Sequence, residues 1–435
     1  MENSNIYQGG ENFSLRDILV QSRNQTLKER TEFFSSYFKS ESENDRSLYM
    51  RVIDSQAGRE VTVLDSVTGK PRKMLMFGSN NYLGLAGNEY VKESVKKAIS
   101  KYGIGIGGPP LLNGYTKLHF EVEEMLASLK RKESAMIFAS GYAANVGLLT
   151  GLLNRGDIVI YDEYSHASLC DGLKMGKIES YRFRHNNAGE LTALLEKHSG
   201  KKAGEIFVCV EGVYSMDGDL SPLNEIAPLC KLYNAVLIVD DAHGTGVIGD
   251  NGAGTASHFG VEDDTDIIMG TFSKALGVTG GFVAADKAVT DYLRFFARSY
   301  MFSASLPPVV IAAVKAGLEY IMKNPGIIDA LHDNIKYASD KFSSNGFSVQ
   351  TETPIFALDV PEYMDIRRAV HKFHELGIFL NSIEYPAVPL NQQRFRISLM
   401  AVHTKGDINS MVSAVNEVWN SEDVYFKRPE TALRA

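Results

Sequence analysis

The sequence predicts an α/β fold: a mostly parallel central sheet flanked by helices, with a smaller α/β domain toward the C-terminus. Three observations carry this reading. The apolar runs "EIFVCVEG", "AVLIVDDAHG" and "DIIMGTFSK" start at or near Ile206, Val236 and Asp266, a constant spacing of 30 residues. That length accommodates a strand, a crossover helix and two loops, the minimum that parallel neighbours require. Helix-like and strand-like periodicities alternate from about residue 117 onward. Past residue 320 the alternation continues on a smaller scale, with a long helical stretch followed by "SVQTETPIFALDV", the helix "MDIRRAVHKFHELG" and "RFRISLM".

Taken in order, "SLRDILVQSRNQTLKERTEFFSSYF" has the spacing of an amphipathic helix and "KSESENDRS" that of a loop, together an N-terminal arm. "EVTVLD" and "RKMLMFGS" flank "SVTGKP" and predict a β-hairpin leading into the core. The expected division is arm and hairpin over 1–73, a large domain over 74–320 and a small domain over 321–435. "GGFVAADK" follows its predecessor too closely for a crossover and is expected to lie antiparallel.

The chain has 435 residues, 44% of them hydrophobic and 23% charged, with a formal net charge of -8. This is the balance of a globular protein, and it lacks the basic excess that duplex nucleic acid calls for. Cys170, Cys209 and Cys230 are far apart and show neither a disulfide framework nor a zinc-like spacing. The N-terminus has no signal-peptide pattern, and "LPPVVIAAVKAGLEYI" is too short and too charged to span a bilayer, so a cytoplasmic enzyme is expected.

In open α/β sheets ligands bind beyond the carboxyl ends of the strands. The first of the three runs ends near Ser215, the second in Asp240 and His243, the third in Thr271, Ser273 and Lys274. By itself Lys274 reads as a solvated cap or a phosphate contact. If the strands are parallel, all six residues converge, and a carboxylate, a histidine, hydroxyls and a lysine together fit pyridoxal phosphate. That cofactor needs a carboxylate at its ring nitrogen, a donor at its phenolic oxygen, small polar groups at its phosphate and a lysine for the Schiff base. The competing readings are weaker. "DDAHG" is not completed into a metal site. "GIGIGG" follows a helix-like segment where a dinucleotide fingerprint would follow a strand. No Walker sequence occurs, and "TFSK" lacks the flanks of a serine hydrolase. His166 in "DEYSHASL", taken alone, reads as a structural histidine.

The ordered motifs "FGSNNYLGL", "ASGYAANVG", "YSHASL", "EGVYSMDGD", "VDDAHGTGVIG", "GTFSKALG" and "FSASLPP" resemble the α-oxoamine synthase family of fold-type I pyridoxal-phosphate-dependent transferases, from about residue 50 to 420. The resemblance implies condensation of an amino acid with an acyl thioester, carried by coenzyme A or acyl carrier protein, with loss of carbon dioxide to give an α-amino ketone. It also implies that Lys274 holds the cofactor, Asp240 pairs with the ring nitrogen, His166 stacks on the ring, and His243 and Ser215 meet the phenolic oxygen. Gly141 and Tyr142 would present backbone to the phosphate, with hydroxyls from Thr271 and Ser273. Members are typically homodimers with shared sites, in which Ser303 and Ala304 would reach the partner's phosphate. Asn80 and Arg396 would bind the substrate carboxylate, and alternation in "RFRISLM" turns Arg394 to the same face as Arg396.

Within the family the N-terminal motifs suit the branch that acylates serine with a long chain, with a lipid product that leaves room for peripheral membrane contact. One departure bears on the substrate. Gly108-Pro109-Pro110 stands where the family commonly has Gly-Ser-Arg or Gly-Thr-Arg, so cysteate, glycine and alanine stay open beside serine. A non-catalytic partner subunit would be expected to lack the lysine that Lys274 supplies. An aminotransferase of the same fold would consume no thioester.

Overall fold

A computed structural model describes residues 14–43, 49–65, 69–200, 204–349 and 351–426. Apolar, β-branched runs bounded by turn residues form its strands. In chain order these are β1 (Val52–Ile53), β2 (Glu60–Leu64), β3 (Pro71–Met76), β4 (Ser134–Phe138), β5 (Ile158–Asp162), β6 (Glu179–Phe183) and β7 (Ile206–Glu211). They continue with β8 (Val236–Asp240), β9 (Ile267–Thr271), β10 (Gly281–Ala285), β11 (Ile355–Asp359), β12 (Ile378–Phe379), β13 (Asn381–Ile383) and β14 (Arg394–Ser398).

The central sheet has the order β4-β10-β9-β8-β7-β5-β6. The pairs β6–β5, β5–β7, β7–β8 and β8–β9 are parallel, and β10 runs antiparallel to both β9 and β4. The 30-residue spacing and the antiparallel reading of "GGFVAADK" both hold. Alternate residues feed the two faces. Phe207, Cys209 and Ile238 pack with Leu148 and Leu149 on one side, while Val208, Val210 and Val239 pack with Leu191, Leu195 and Ile226 on the other. With both faces covered by helices, the polar groups are left to the strand ends.

The C-terminal part is built on an antiparallel sheet of order β11-β14-β13, packed with the helices Gly326–Ser344, Ile366–Glu375 and Lys405–Trp419. The β2–β3 hairpin forms as expected, although residues 66–68 of its turn lie outside the described residues. It does not lead into the central sheet: β12 adds to β3 in parallel, and Val61, Val63, Met74 and Met76 pack with Met400. The hairpin therefore belongs by its contacts with the C-terminal part. The divisions at 73/74 and 320/321 fall inside β3 and inside the helix Pro308–Lys323.

The N-terminal arm also differs from expectation. It forms two helices, Leu15–Gln21 and Leu27–Glu43, where one was expected. The reason is local: Ser14 with Asp17 and Thr26 with Glu29 each make the reciprocal bonds of a capping box, so the segment carries two helix starts. The second helix also runs through Lys39–Glu43 of the expected loop, of which residues 44–47 lie outside the described residues. Among the described residues no helix is long and apolar enough to cross a membrane.

Directly behind the strand ends is a fully buried ion pair. Lys130 Nζ lies 2.7 Å from Asp241 Oδ2, 2.8 Å from Thr245 Oγ1 and 2.6 Å from the Ala253 carbonyl. Thr255 donates its backbone N–H to Asp241 Oδ1 at 3.0 Å. Gly254, at φ +102, is obligatory here, because a Cβ would stand 1.8 Å from Asp241 Oδ2. Removing the cation strands a buried carboxylate, so Lys130→Met is expected to cost about 3–5 kcal/mol. Urea unfolding monitored by far-UV circular dichroism checks this, and a loss below about 1 kcal/mol would mean that Asp241 is not left unpaired.

Candidate active site at the strand ends

β7 and β8 stop at one level, with Glu211 registered against Asp240, and β9 runs on from Met269, opposite Asp240, to Thr271. The loops that follow, together with the start of the helix Gly141–Leu152 and the start of the helix Ala167–Gly176, line one open cavity. Eight of the residues singled out from the sequence line it: Gly141, Tyr142, His166, Asp240, His243, Thr271, Ser273 and Lys274.

The helix Gly141–Leu152 opens at the cavity, its N-cap Ser140 accepting from the Ala143 amide at 3.0 Å. Such an end concentrates free N–H groups and positive potential. The Tyr142 hydroxyl donates to Asp171 Oδ2 at 2.7 Å, so Tyr142 turns its side chain away and leaves its backbone to the site. Gly141 lies so close to Thr271 that a Cβ would come 3.1 Å from Thr271 Cβ. The Thr271 and Ser273 hydroxyls are 2.9 Å apart on the same wall.

Asp240 is held by the Asn145 amide at 2.7 Å and by the Ala242 backbone N–H at 3.1 Å. Asn145 also donates to Ser168 Oγ at 2.9 Å, and Ser168 Oγ lies 2.7 Å from His166 Nδ1. The Ser168 amide donates to that same Nδ1 at 3.3 Å, so Nδ1 is the acceptor and the ring proton is on Nε2. Glu211, next to Asp240, is equally buried, and its Oε1 has no partner. Burial pushes both carboxyls up, and the Asp240 charge raises Glu211 further. Asp240 keeps the charge, since it has the two donors and faces His166 and Lys274, while Glu211 keeps the proton.

Burial, and then the Arg396 guanidinium, push the Lys274 amine below its usual range, against the pull of Asp240 and Glu211. Burial also drives His243 well below the usual histidine range, reinforced by Lys274, Arg396 and His166. His243 Nδ1 lies 2.7 Å from the Tyr82 hydroxyl. A neutral ring accepting that hydroxyl proton keeps its own proton on Nε2. Tyr82 in turn accepts from Arg396 Nη2 at 3.2 Å and lies 3.2 Å from Asn80 Oδ1, so Arg396, Tyr82 and His243 form one chain.

The other residues singled out from the sequence lie outside this cavity's lining. Ser215 does not line the cavity: its turn, Tyr214–Asp219, points its carbonyl at Arg396 Nε. Ser303 and Ala304 line a separate, small crevice with Pro110, Tyr115 and His119. Asn80 and Arg396 meet at 2.9 Å, but four of the five Arg396 N–H groups are already taken, by Ser215 O, Asn80 Oδ1, Ser398 Oγ and Tyr82 Oη. Arg394 is also buried and pairs with Asp217 in the same turn. Sequence reasoning missed Glu211, Asn145, Ser168 and Tyr82, although each lies inside one of the quoted motifs. The signal was the polar residue at a buried position beside a chosen one.

The fold and this set of groups define a fold-type I enzyme of the pyridoxal-phosphate class, and the family "Aminotransferase class I and II" matches residues 72–415. The curated relatives narrow this. The chain is 38% identical to a serine palmitoyltransferase of Sphingobacterium spiritivorum, over 86% of this chain and 92% of that one. It is 37% identical to an 8-amino-7-oxononanoate synthase of Petrotoga mobilis, over 86% and 93%. A serine palmitoyltransferase variant from S. paucimobilis, solved with pyridoxal phosphate and myriocin, superimposes with a TM-score of 0.84 at 29% identity, over 91% of this chain and 98% of that one. The chain belongs to the α-oxoamine synthases, decarboxylating C-acyltransferases that use pyridoxal 5'-phosphate.

A neutral His243 has a consequence for pH. The unfolded chain takes up a proton at this residue near pH 6.5, whereas the folded chain does not, so this residue's contribution to stability falls as pH drops below about 6.5. In ring-resolved NMR of the protein, the His243 signals are expected to stay those of a neutral ring down to pH 5. Titration near pH 6.5 would show that the ring is not held neutral.

Proposed function

We propose that this chain condenses an amino acid, serine in the first instance, with a long-chain acyl thioester, releasing carbon dioxide and an α-amino ketone, as a serine palmitoyltransferase does. The observation that carries the reading is the meeting of Lys274, Asp240, His166 and His243 on one cavity that the Tyr82 hydroxyl connects to Arg396. The residues present fit the cofactor. Lys274 would hold it covalently, Asp240 would pair with the ring nitrogen and His166 would cover the ring. The His243 Nε2–H would be the donor for the phenolic oxygen. The start of the helix Gly141–Leu152, Thr271 and Ser273 would receive the phosphate. When bound, pyridoxal phosphate supplies the electron sink for the substrate's Cα carbanion.

The protein's own groups do the rest. Arg396, with one N–H still uncommitted, anchors the amino acid carboxylate, and a bidentate grip takes a second donor from Asn80 or Tyr82. The amine of Lys274, lowered by burial, is suited to remove the α-proton. Glu211, neutral beside Asp240, adds no second negative charge to the site.

A homodimer is part of the proposal. Ile104, Leu112, Phe295 and Phe302 are strongly exposed apolar side chains, and they lie in or beside the segments that carry Pro110 and Ser303–Ala304. Ser305 donates its backbone N–H to the Gly108 carbonyl at 3.0 Å, so the two segments form one surface.

Two experiments test the reading. Thiol release is measured with serine, glycine, alanine and cysteate against long-chain thioesters of coenzyme A and of acyl carrier protein, and serine is expected to give the largest kcat/KM. Preference for cysteate, or for alanine or glycine, would redirect the assignment to a cysteate fatty acyltransferase, or to an 8-amino-7-oxononanoate synthase or glycine C-acyltransferase. Borohydride reduction should fix the cofactor to the peptide containing Lys274, and Lys274→Ala should abolish turnover. Labelling at another lysine would sink the assignment of Lys274.

A further inference from the structure

The pair His185–Asn186, just past β6, lies outside the cavity, yet it is bound to two of the loops that build the site. The His185 ring is held at both nitrogens: Nδ1 lies 3.0 Å from Asp162 Oδ1 and Nε2 lies 2.7 Å from Asp219 Oδ2. Asn186 repeats the span. Its backbone N–H donates to Asp162 Oδ2 at 2.8 Å, and its side-chain amide donates to Asp219 Oδ2 at 2.9 Å. A ring that meets a carboxylate at each nitrogen needs two N–H groups, which is the imidazolium form.

The surroundings keep it so. Tyr164 stacks on the ring at 4.3 Å and Tyr214 meets it edge-on at 4.4 Å. From the end of β5 the ring faces Asp162 and Tyr164, and Glu163 accepts the His185 backbone N–H at 3.1 Å. From the other side it faces Tyr214 and Asp219, while the neighbouring Arg184 is engaged by Glu190 at 2.9 Å. Burial pushes the imidazole down, but the hydrogen bonds and charges of Asp162 and Asp219 prevail and hold it at about 10.

What this clamp holds is the turn Tyr214–Asp219. Ser215 in the turn gives its carbonyl to Arg396 Nε, and Asp217 pairs with Arg394. The Gly218 carbonyl accepts the hydroxyls of Thr351 at 2.9 Å and Thr353 at 2.7 Å. Asp162, at the other end of the clamp, starts the loop that ends in His166. We propose that His185 is a positioning residue for amino acid binding: by bridging Asp162 to Asp219 it fixes the turn whose Ser215 carbonyl aims Arg396. The inference rests on the reading of Arg396 as the carboxylate anchor, and the experiment separates the two.

The holoenzyme is titrated spectrally with serine, glycine, alanine and cysteate in four forms: wild type, His185→Gln, Asp219→Asn and Arg396→Gln. Asp219→Asn keeps an acceptor oxygen and removes only the charge, which guards against a His185 variant that fails to fold. A loosened anchor of this kind costs on the order of 10–100-fold. His185→Gln is therefore expected to weaken amino acid binding about 10-fold or more and Asp219→Asn about 3–10-fold. Cofactor absorbance and retention, and kcat at saturating amino acid, should stay within about threefold of wild type, a split between KM and kcat that a purely structural lesion would not give. NMR of the His185 ring should show the doubly protonated form at pH 8. If Arg396→Gln weakens binding while His185→Gln and Asp219→Asn do not, the positioning role is overturned and the anchor stands. If Arg396→Gln also binds like wild type, the anchor reading fails and this inference falls with it. A neutral His185 ring at pH 8 overturns the clamp irrespective of the affinities.

Discussion

The register of β7 against β8 is the constraint on which the rest of the site depends. Because the strands are parallel and end together, Glu211 and Asp240 are direct partners, and their carboxyl groups share one buried corner. Two adjacent carboxylates cannot both stay ionised away from water. The fold resolves this by asymmetry. Asp240 receives the Asn145 amide and the Ala242 N–H, and Glu211 is left with an unpartnered oxygen. One negative charge therefore sits at a fixed place, which is what a protonated pyridine nitrogen requires. A slip of one residue would turn these side chains to the opposite face and remove the charge from the cavity.

The cationic side of the site follows from the same crowding. Lys274, Arg396 and His243 face each other in a poorly solvated space, and their mutual repulsion adds to the cost of burial. The guanidinium remains charged, and the other two groups yield: His243 stays neutral and the Lys274 amine is depressed. Tyr82 makes the arrangement workable, because its hydroxyl gives its proton to one partner while accepting from another. The link also joins the two parts of the chain, as Arg396 comes from β14 and His243 from the loop after β8.

The fold was legible in the sequence where periodicity and spacing decide it. The 30-residue interval, the antiparallel β10 and the β2–β3 hairpin all came from apolar runs and from the length that a crossover needs. What was not legible depended on contacts between distant segments. Nothing local in "EVTVLD" or "RKMLMFGS" says that β12, some 300 residues on, will add to the hairpin. The arm was misread for the opposite reason, since its two capping boxes were visible and were outweighed by a continuous amphipathic pattern. In the site, residues with an obvious task were recognised. Glu211, Asn145, Ser168 and Tyr82, which act by orienting or charging a neighbour, were not. For Ser215 the sequence pointed to the side chain, and the structure adds a contact of its carbonyl with Arg396 that residue identity cannot show.

The segment Gly108–Gly114 shows how the same physics bears on substrate choice. Its backbone is folded tightly on itself, with Leu112 N–H at 3.1 Å and Gly114 N–H at 2.9 Å from the Pro109 carbonyl, and it is tied to Ser305 through Gly108. Prolines at 109 and 110 remove two backbone donors and place no hydroxyl or guanidinium on this stretch. Pro110 instead presents ring surface to the cavity shared with Ser303 and Ala304. If this stretch faces the amino acid in the proposed reaction, it can select only by shape, and a pocket that selects by shape separates amino acids of different bulk more easily than those that differ by a hydroxyl. A polar side chain on the amino acid would then need its hydrogen-bond partners elsewhere in the site.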